Sequence, residues 1–338
     1  MRLMAKLAVA GGLLGILVYL MDWREVAMAI RRADLTWVAA AFLVSMAGSV
    51  ISAEKWRGLL GASQIRIGLV LAARLYWIGA FFSNFLPTSI GGDAVRLMLT
   101  PAPGRLNRVA GSILLERVTG LVVLLAITCV GFAVAPWIVP HLTIGHVLLP
   151  LVGGLVLAST AALLLPRRAA AFLALVRSYG PSLLRRPVRI AERLAWTVAR
   201  QTRDRRALVR ALALSVPFYA TVVLAQYFCL RAVGADIPLH YALLFGAGIQ
   251  LLAVLPISIN GLGVSEGAFV ALYATFGVPV WAALAAALVR RLVDLGNSAL
   301  GGLLWLGYRR AAQIAAPRPD PRATTRQGRA AAIHSLTA

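Results

Sequence analysis

Charge is scarce in this chain, and lysine and acid are scarcest. Of 338 residues 14% are charged; 34 are basic and 12 acidic, and only Lys6 and Lys55 are lysine. Hydrophobic residues make up 60%, and mean hydropathy is +0.81. Soluble domains carry about 25% charged residues, so a soluble fold of this length is excluded. The two cysteines, Cys129 and Cys229, fall in separate apolar runs. They exclude a disulfide framework and read as small buried hydrophobes. The four histidines (His141, His146, His240, His334) lack metal-ligand spacing, so neither a metal nor another cofactor is expected. The stretch GGDAVR at 91–96 lacks the Lys-Ser/Thr that a phosphate-binding loop requires. Nucleotide hydrolysis is therefore not expected. Alternating segments of ~10 residues, the mark of a membrane barrel, are missing as well.

What the chain has is long apolar runs, near 4–21, 35–53, 67–86, 109–135, 146–166, 208–230, 239–257, 264–277 and 280–308. Runs of ~20 apolar residues cross a hydrocarbon core of about 30 Å as helices, because each backbone polar group must be satisfied within its own segment. The fold class is all-α: a polytopic helical membrane bundle of eight or nine apolar segments. Arg2 and Lys6 stand at the start of the first run, which reads as a first transmembrane helix rather than a signal peptide.

The basic residues are not spread evenly. Residues 167–210 hold twelve arginines against Glu192 and Asp204, and residues from Arg309 onward hold six against Asp320. A net charge of +22 invites a nucleic-acid reading, but cytoplasmic loops of membrane proteins concentrate Arg and Lys. Basic segments beside a membrane also attract anionic lipids. No nucleic-acid partner is expected; anionic lipids at 167–210 are. Within 185–206, Val188, Leu194, Ala195 and Val198 form one apolar face opposite arginine, the pattern of an interfacial helix. The tail, with Pro317, Pro319 and Pro321 and no apolar period, is expected to be disordered. The expected location is a bacterial inner membrane, with 167–210 and the tail cytoplasmic and the Arg- and Lys-free loop 136–145 outside. Residues 54–108 resist this scheme, because Lys55, Arg57, Arg66, Arg96, Arg105 and Arg108 all favour one side of a single apolar run. Either 67–100 is a re-entrant hairpin folded at Pro87 or the loop 54–66 faces out; the hairpin is favoured, since re-entrant backbone is tolerated where protein or a wet cavity covers it.

LPTSIGG at 86–92 returns as LPISING at 255–261, with five of seven positions identical. Pro87, Ser89, Gly91 and Gly92 break the first apolar run, and Pro256, Ser258, Asn260 and Gly261 the second. Paired breaks in two halves of a membrane chain point to a transporter's binding site. The chain divides into a first helix with a short amphipathic link (1–34), a first membrane half (35–166), a basic interfacial segment (167–207), a second half (208–308) and the tail (309–338). The sequence leaves open whether the repeat is parallel or inverted.

Ionisable residues at membrane depth are candidates for function, because burial without a partner is costly. Asp93 and Arg96 are spaced i,i+3 after the first break, and Asp93 suits a helix N-terminus. Glu116 and Arg117 are adjacent, so they point apart on a helix and each needs another partner. Glu266 follows the second break as a cap or as the counterpart of Asp93. Arg290 and Asp294, i,i+4, can pair; Arg291 then needs an anion or a carboxylate. Together these eight residues suggest a polar cavity between the halves. Half-helix N-termini and bidentate arginines there suit a phosphate.

NFLPTSIGGDAVR (84–96), LLERVTGL (114–121), LPISINGLGVSEGA (255–268) and the arginine-bearing last helix resemble the transmembrane domain of lysylphosphatidylglycerol synthases, a flippase-like family that also occurs as stand-alone proteins. The resemblance implies a protein that translocates or binds a phospholipid or another anionic or isoprenoid lipid. It also implies no enzymatic activity of this region, because aminoacyl transfer belongs to a separate cytoplasmic domain. The other readings are a non-transporting partner of a lipid- or glycan-modifying enzyme, and a membrane transferase using Asp93 or Glu116 as base.

Overall fold

A computed structural model describes residues 23–85, 91–138, 144–179, 204–254 and 261–315, with isolated positions between 188 and 202. Regular structure among these residues is entirely helical: α1 (Trp23–Arg31), α2 (Leu35–Ala62), α3 (Leu69–Phe85), α4 (Gly91–Leu99), α5 (Leu106–Ile138), α6 (Ile144–Leu164), α7 (Pro166–Tyr179), α8 (Arg205–Ala232), α9 (Leu239–Val254), α10 (Val264–Ala274) and α11 (Val280–Ala315). Three stretches among them are long and apolar enough to cross a membrane: α2, α5 as far as Gly131, and α8. The expected helical membrane bundle is what forms. The first helix expected at 4–21, the break residues Pro87, Ser89, Pro256, Ser258 and Asn260, and the tail beyond 315 lie outside the described residues.

Several helices outrun their apolar runs. Residues 54–62 continue α2 instead of forming a loop. Their charges are satisfied in place: Glu54 pairs with Arg57 at 2.5 Å and with Arg210 of α8 at 2.5 Å. The short helices α1, α4 and α7 are too brief to register as apolar spans.

The two halves begin and end alike. Asp34 caps α2 by accepting from Thr36 N at 2.8 Å, and Asp204 caps α8 by accepting from Ala207 N at 3.0 Å. Both helices are 28 residues long, shifted by 170 residues, the interval from Leu35 to Arg205. Both end in one motif: Ile65 N donates to Leu60 O and Gln64 N to Gly61 O, as Ala235 N donates to Leu230 O and Gly234 N to Arg231 O. This pattern places one left-handed residue after the helix, and it is Gln64 (φ 64°) in one half and Gly234 (φ 80°) in the other. The same shift takes Leu69 of α3 to Leu239 of α9; from Leu106 of α5 to Val280 of α11 it is 174.

The most extensive helix contact joins the equivalent helices α2 and α8. They run antiparallel. Asp34 N donates to Ala232 O, and Trp37 stacks on Phe228 with ring centroids 5.4 Å apart. Gly48 abuts Thr221, and Lys55 donates to Ser215 Oγ at 3.0 Å. Equivalent helices packed antiparallel are related by a two-fold axis perpendicular to them. For helices that cross a bilayer, that axis lies in the membrane plane, so the repeat is inverted.

Within each half the helices flanking the break fold back as a hairpin. Gly92 of α4 lies so close to α3 that a β-carbon there would stand 2.0 Å from Gly79 O. The base of this hairpin closes on the end of α2, where Arg105 donates to Gln64 O at 3.0 Å and Arg108 to Ser63 O at 3.5 Å. Both ends of 67–100 therefore lie at one end of the bundle, as the favoured re-entrant reading requires. In the second half, Tyr241 of α9 stacks on Phe276 just past α10 at 4.6 Å, and Val233, Ile237, Tyr273 and Val278 share one apolar core. Each hairpin also packs on the long helix of the other half. Trp77 Nε1 donates to Asn297 Oδ1 at 3.0 Å, and Phe82 meets Trp305 edge-on at 5.4 Å. Correspondingly, Ala247 packs with Val123 and Leu124, and Phe245 with Leu125. The halves are thus interlocked around a shared centre.

Candidate functional site

A cavity of about 560 Å³ lies at that centre, and all eight ionisable residues expected there border it. Their partners come from different helices. Arg117 of α5 holds Asp93 of α4 with Nη2–Oδ2 at 2.5 Å and Nε–Oδ2 at 2.6 Å. Arg291 of α11 holds Glu266 of α10 with Nη2–Oε1 at 2.6 Å and Nε–Oε1 at 3.0 Å. Arg117 and Arg291 occupy corresponding places on α5 and α11, at the 174-residue shift. Each half of the inverted repeat therefore brings one acid from the start of its short helix to one arginine of its long helix. Glu266 also caps α10, accepting from Gly263 N at 2.8 Å, which satisfies a free amide of the first turn.

The remaining four expected residues are arranged differently in the two halves. Arg96 and Glu116 pair at 2.6 Å with both side chains 7% exposed. The Arg96 guanidinium lies 4.1 Å from the Trp56 ring centroid and 4.6 Å from that of Tyr76, favourable for a buried cation. Asp93 stands at 3.5 Å on its other side. In the second half, Arg290 bonds Asp294 at 2.5 Å and Ser45 Oγ at 3.2 Å. The i,i+4 pair therefore forms, and the acid that Arg291 requires is Glu266.

Lys55 was missed as a site residue. It reads as a loop residue at the end of an apolar run, yet it is 4% exposed and borders the cavity. Its Nζ donates to Glu116 O at 3.1 Å and to Ser215 Oγ, tying α2 to α5 and α8. A signal was present: Ser45, Ser49, Ser52 and Trp56 recur at helical period along an otherwise apolar α2. Ser49 accepts from Asn297 Nδ2 at 3.0 Å, and Ser52 lines the cavity.

The chemistry of the arrangement follows from exposure. Arg117 is 53% exposed and Asp294 46% exposed, both at the cavity wall. The Asp93–Arg117 and Arg290–Asp294 pairs, each with one exposed member, exchange partners at less cost than a buried pair, and a guanidinium that releases a carboxylate presents the same fork to a phosphate. The buried Arg96–Glu116 pair has no such freedom and serves as an anchor. No group of three or more metal-ligating side chains occurs among the described residues.

Comparison with known proteins points to a membrane-protein family. The family described as the lysylphosphatidylglycerol synthase TM region matches residues 3–301. The UPF0104 membrane protein PH1989 of Pyrococcus horikoshii is 24% identical over 304 residues, covering 82% of this chain and 89% of that protein. No solved structure matches the chain significantly. With nearly its whole length matched, the chain is a membrane protein belonging to the lysylphosphatidylglycerol synthase transmembrane-region family.

Proposed function

We propose that this protein seats the phosphate of an anionic lipid, a phospholipid or an isoprenoid phosphate, in the central cavity and carries that lipid between leaflets. The observation that carries the reading is the matched pair of acid–arginine contacts, Asp93–Arg117 and Glu266–Arg291, one from each inverted half on one cavity. An inverted repeat with its polar site between the halves is the architecture of alternating access. The acyl chains remain in lipid while the headgroup meets the arginines. Asp93 and Glu116 are each held by arginine, which disfavours a transferase using either as a free base.

The same reading places the protein in a bacterial inner membrane. The end of the bundle carrying Arg57, Arg105, Arg108 and Arg210 would face the cytoplasm, consistent with the arginine excess there. The basic segment 167–210 would then rest on anionic lipid.

The test is reconstitution into vesicles carrying a fluorescent phospholipid, with movement read by chemical quenching of the outer leaflet. Wild type moves the lipid; Arg117→Ala and Arg291→Ala stop it while their unfolding midpoints stay near wild type. Absence of movement above empty vesicles, across a panel of anionic lipids, refutes transport. Full rates in both variants make those arginines structural.

A further inference from the structure

The two acid–arginine pairs differ in what is left to the acid once its arginine turns to a phosphate. Glu266 keeps two other donors, Gly263 N at 2.8 Å and Ser265 Oγ at 3.1 Å. Released by Arg291, it stays charged at the start of α10, where a helix N-terminus favours an anion. Asp93 has no such support. Among the described residues its carboxylate accepts only from Arg117 and, at 3.5 Å, from Arg96. Arg96 is committed elsewhere: it bonds Glu116 at 2.6 Å and is held against the Trp56 and Tyr76 rings.

The backbone of Asp93 has no room to withdraw. It is the third residue of α4, and the Gly92 before it is pressed on α3, where a β-carbon would stand 2.0 Å from Gly79 O and 2.1 Å from Ser83 Oγ. A phosphate that takes the Arg117 fork therefore lies against the Asp93 carboxyl, which is 16% exposed. The other ionisable groups around it bring no second cation. Lys55 of α2 is directed at Glu116 O and Ser215 Oγ, and Tyr76 of α3 lies on Arg96. Across the cavity, Arg290 is paired with Asp294 and Arg291 with Glu266.

Two anions at one guanidinium repel, and one of them takes a proton. A lipid phosphodiester is much the stronger acid, so the proton goes to the carboxyl. The Asp93–Arg117 contact breaks, the phosphate–Arg117 contact forms, and an O–H bond forms on Asp93 with a proton drawn from water in the cavity. The neutral acid then donates that O–H to a phosphate oxygen. We propose that Asp93 is a proton site, so that each lipid phosphate seated on Arg117 is carried together with one proton. On release the proton returns to water at the other leaflet, and the empty protein turns back with Asp93 ionised on Arg117. The charges of phosphate and proton cancel, so loading the site adds no net charge. The proposal rests on the reading of the cavity as a site for a lipid phosphate.

The experiment places the full chain in phosphatidylcholine vesicles with a trace of fluorescent phosphatidylglycerol and reads the final leaflet ratio by outer-leaflet quenching. Valinomycin with equal potassium on both sides holds the potential at zero. A lumen one pH unit more acidic than the outside is then expected to enrich the probe in the outer leaflet about tenfold over protein-free vesicles, the ratio that one proton per lipid sets. A potassium diffusion potential without a pH difference should leave the ratio at the protein-free value. Asp93→Asn should abolish the response to pH, whereas Glu266→Gln should retain it, since a slower variant still reaches its final ratio. Where asparagine stalls or unfolds the protein, Asp93→Glu carries the test: it keeps a titratable carboxyl and should keep the response, and movement without the response overturns the proposal. A wild type that moves the probe but ignores the pH difference, or follows the potential instead, overturns the proton site and leaves lipid transport standing. A pH response that persists in Asp93→Asn, or that is lost in Glu266→Gln, also overturns it. No movement of any anionic lipid overturns both readings.

Discussion

Replacing Glu116 by leucine while Arg96 stays in place tests how the first half of the site is anchored. Both side chains are 7% exposed, and the next carboxylate to Arg96 is Asp93 at 3.5 Å, already held by Arg117. Removing one member of a buried pair costs about 3–5 kcal/mol, most of it the penalty of an uncompensated charge. The stacking of Arg96 on Trp56 and Tyr76 is present in both proteins and cancels in the difference. Glu116→Leu is therefore expected to lose about 3–5 kcal/mol. Arg96→Met together with Glu116→Leu should recover to within ~1 kcal/mol of wild type, because apolar replacement of both members removes the unpaired charge. Arg117→Ala, at a side chain 53% exposed, should cost no more than ~1 kcal/mol. The assay is denaturant unfolding in mild detergent followed by tryptophan fluorescence. A Glu116→Leu variant within 1 kcal/mol of wild type, or a double variant whose loss equals the sum of the singles, refutes the reasoning.

Other substitutions probe the fold. With Cys129 and Cys229 replaced, Gly48→Cys and Thr221→Cys should oxidise to a disulfide, since a β-carbon at Gly48 would stand 3.4 Å from Thr221 Cβ, close to the disulfide range; failure to crosslink under oxidant contradicts the antiparallel pairing of α2 and α8. Gln64→Gly should raise stability by up to ~1 kcal/mol by relieving a left-handed backbone at a residue with a side chain, and a lowered unfolding midpoint would count against this. Gly301→Val should destabilise by at least ~1–3 kcal/mol, because a β-carbon there would lie 1.9 Å from Trp77 O; a variant as stable as wild type would mean that α3 and α11 do not touch at this point.

The bundle was legible in the sequence because its signal is local. Apolar runs report on the solvent each segment meets, and the repeated LP-x-SI-x-G marks two breaks without reference to anything distant. The paired charges were legible for the same reason: a charged residue inside such a run advertises its need for a partner. The partners themselves were less visible. Arg290 and Asp294 are one turn apart and could be matched, whereas Arg291–Glu266 and Arg96–Glu116 depend on how separate helices meet. The cage of Trp56 and Tyr76 around Arg96 was hidden because aromatic residues in a membrane helix look like any other apolar filling. Lys55 was hidden because helix α2 runs on past its last apolar turn. Direction was not legible, since no local pattern says which way a helix crosses; it follows from packing, here from Asp34 beside Ala232 and Lys55 beside Ser215.

The helix α6 has a consequence out of proportion to its chemistry. Its 21 residues measure about 31 Å, one bilayer thickness, and it folds back on α5 across a short link. Among the described helices before α8, α2 and α5 are the ones long and apolar enough to cross, and two crossings return the chain to the side on which it started. Without a further crossing, the second half would start from that same side and α2 and α8 would run parallel. The antiparallel packing of α2 on α8 therefore calls for one more crossing between α5 and α8, and α6 is the described helix whose length suits it. On that count, excising α6, or doubling it, would leave every site residue in the chain while removing the geometry that brings Arg117 and Arg291 to one cavity.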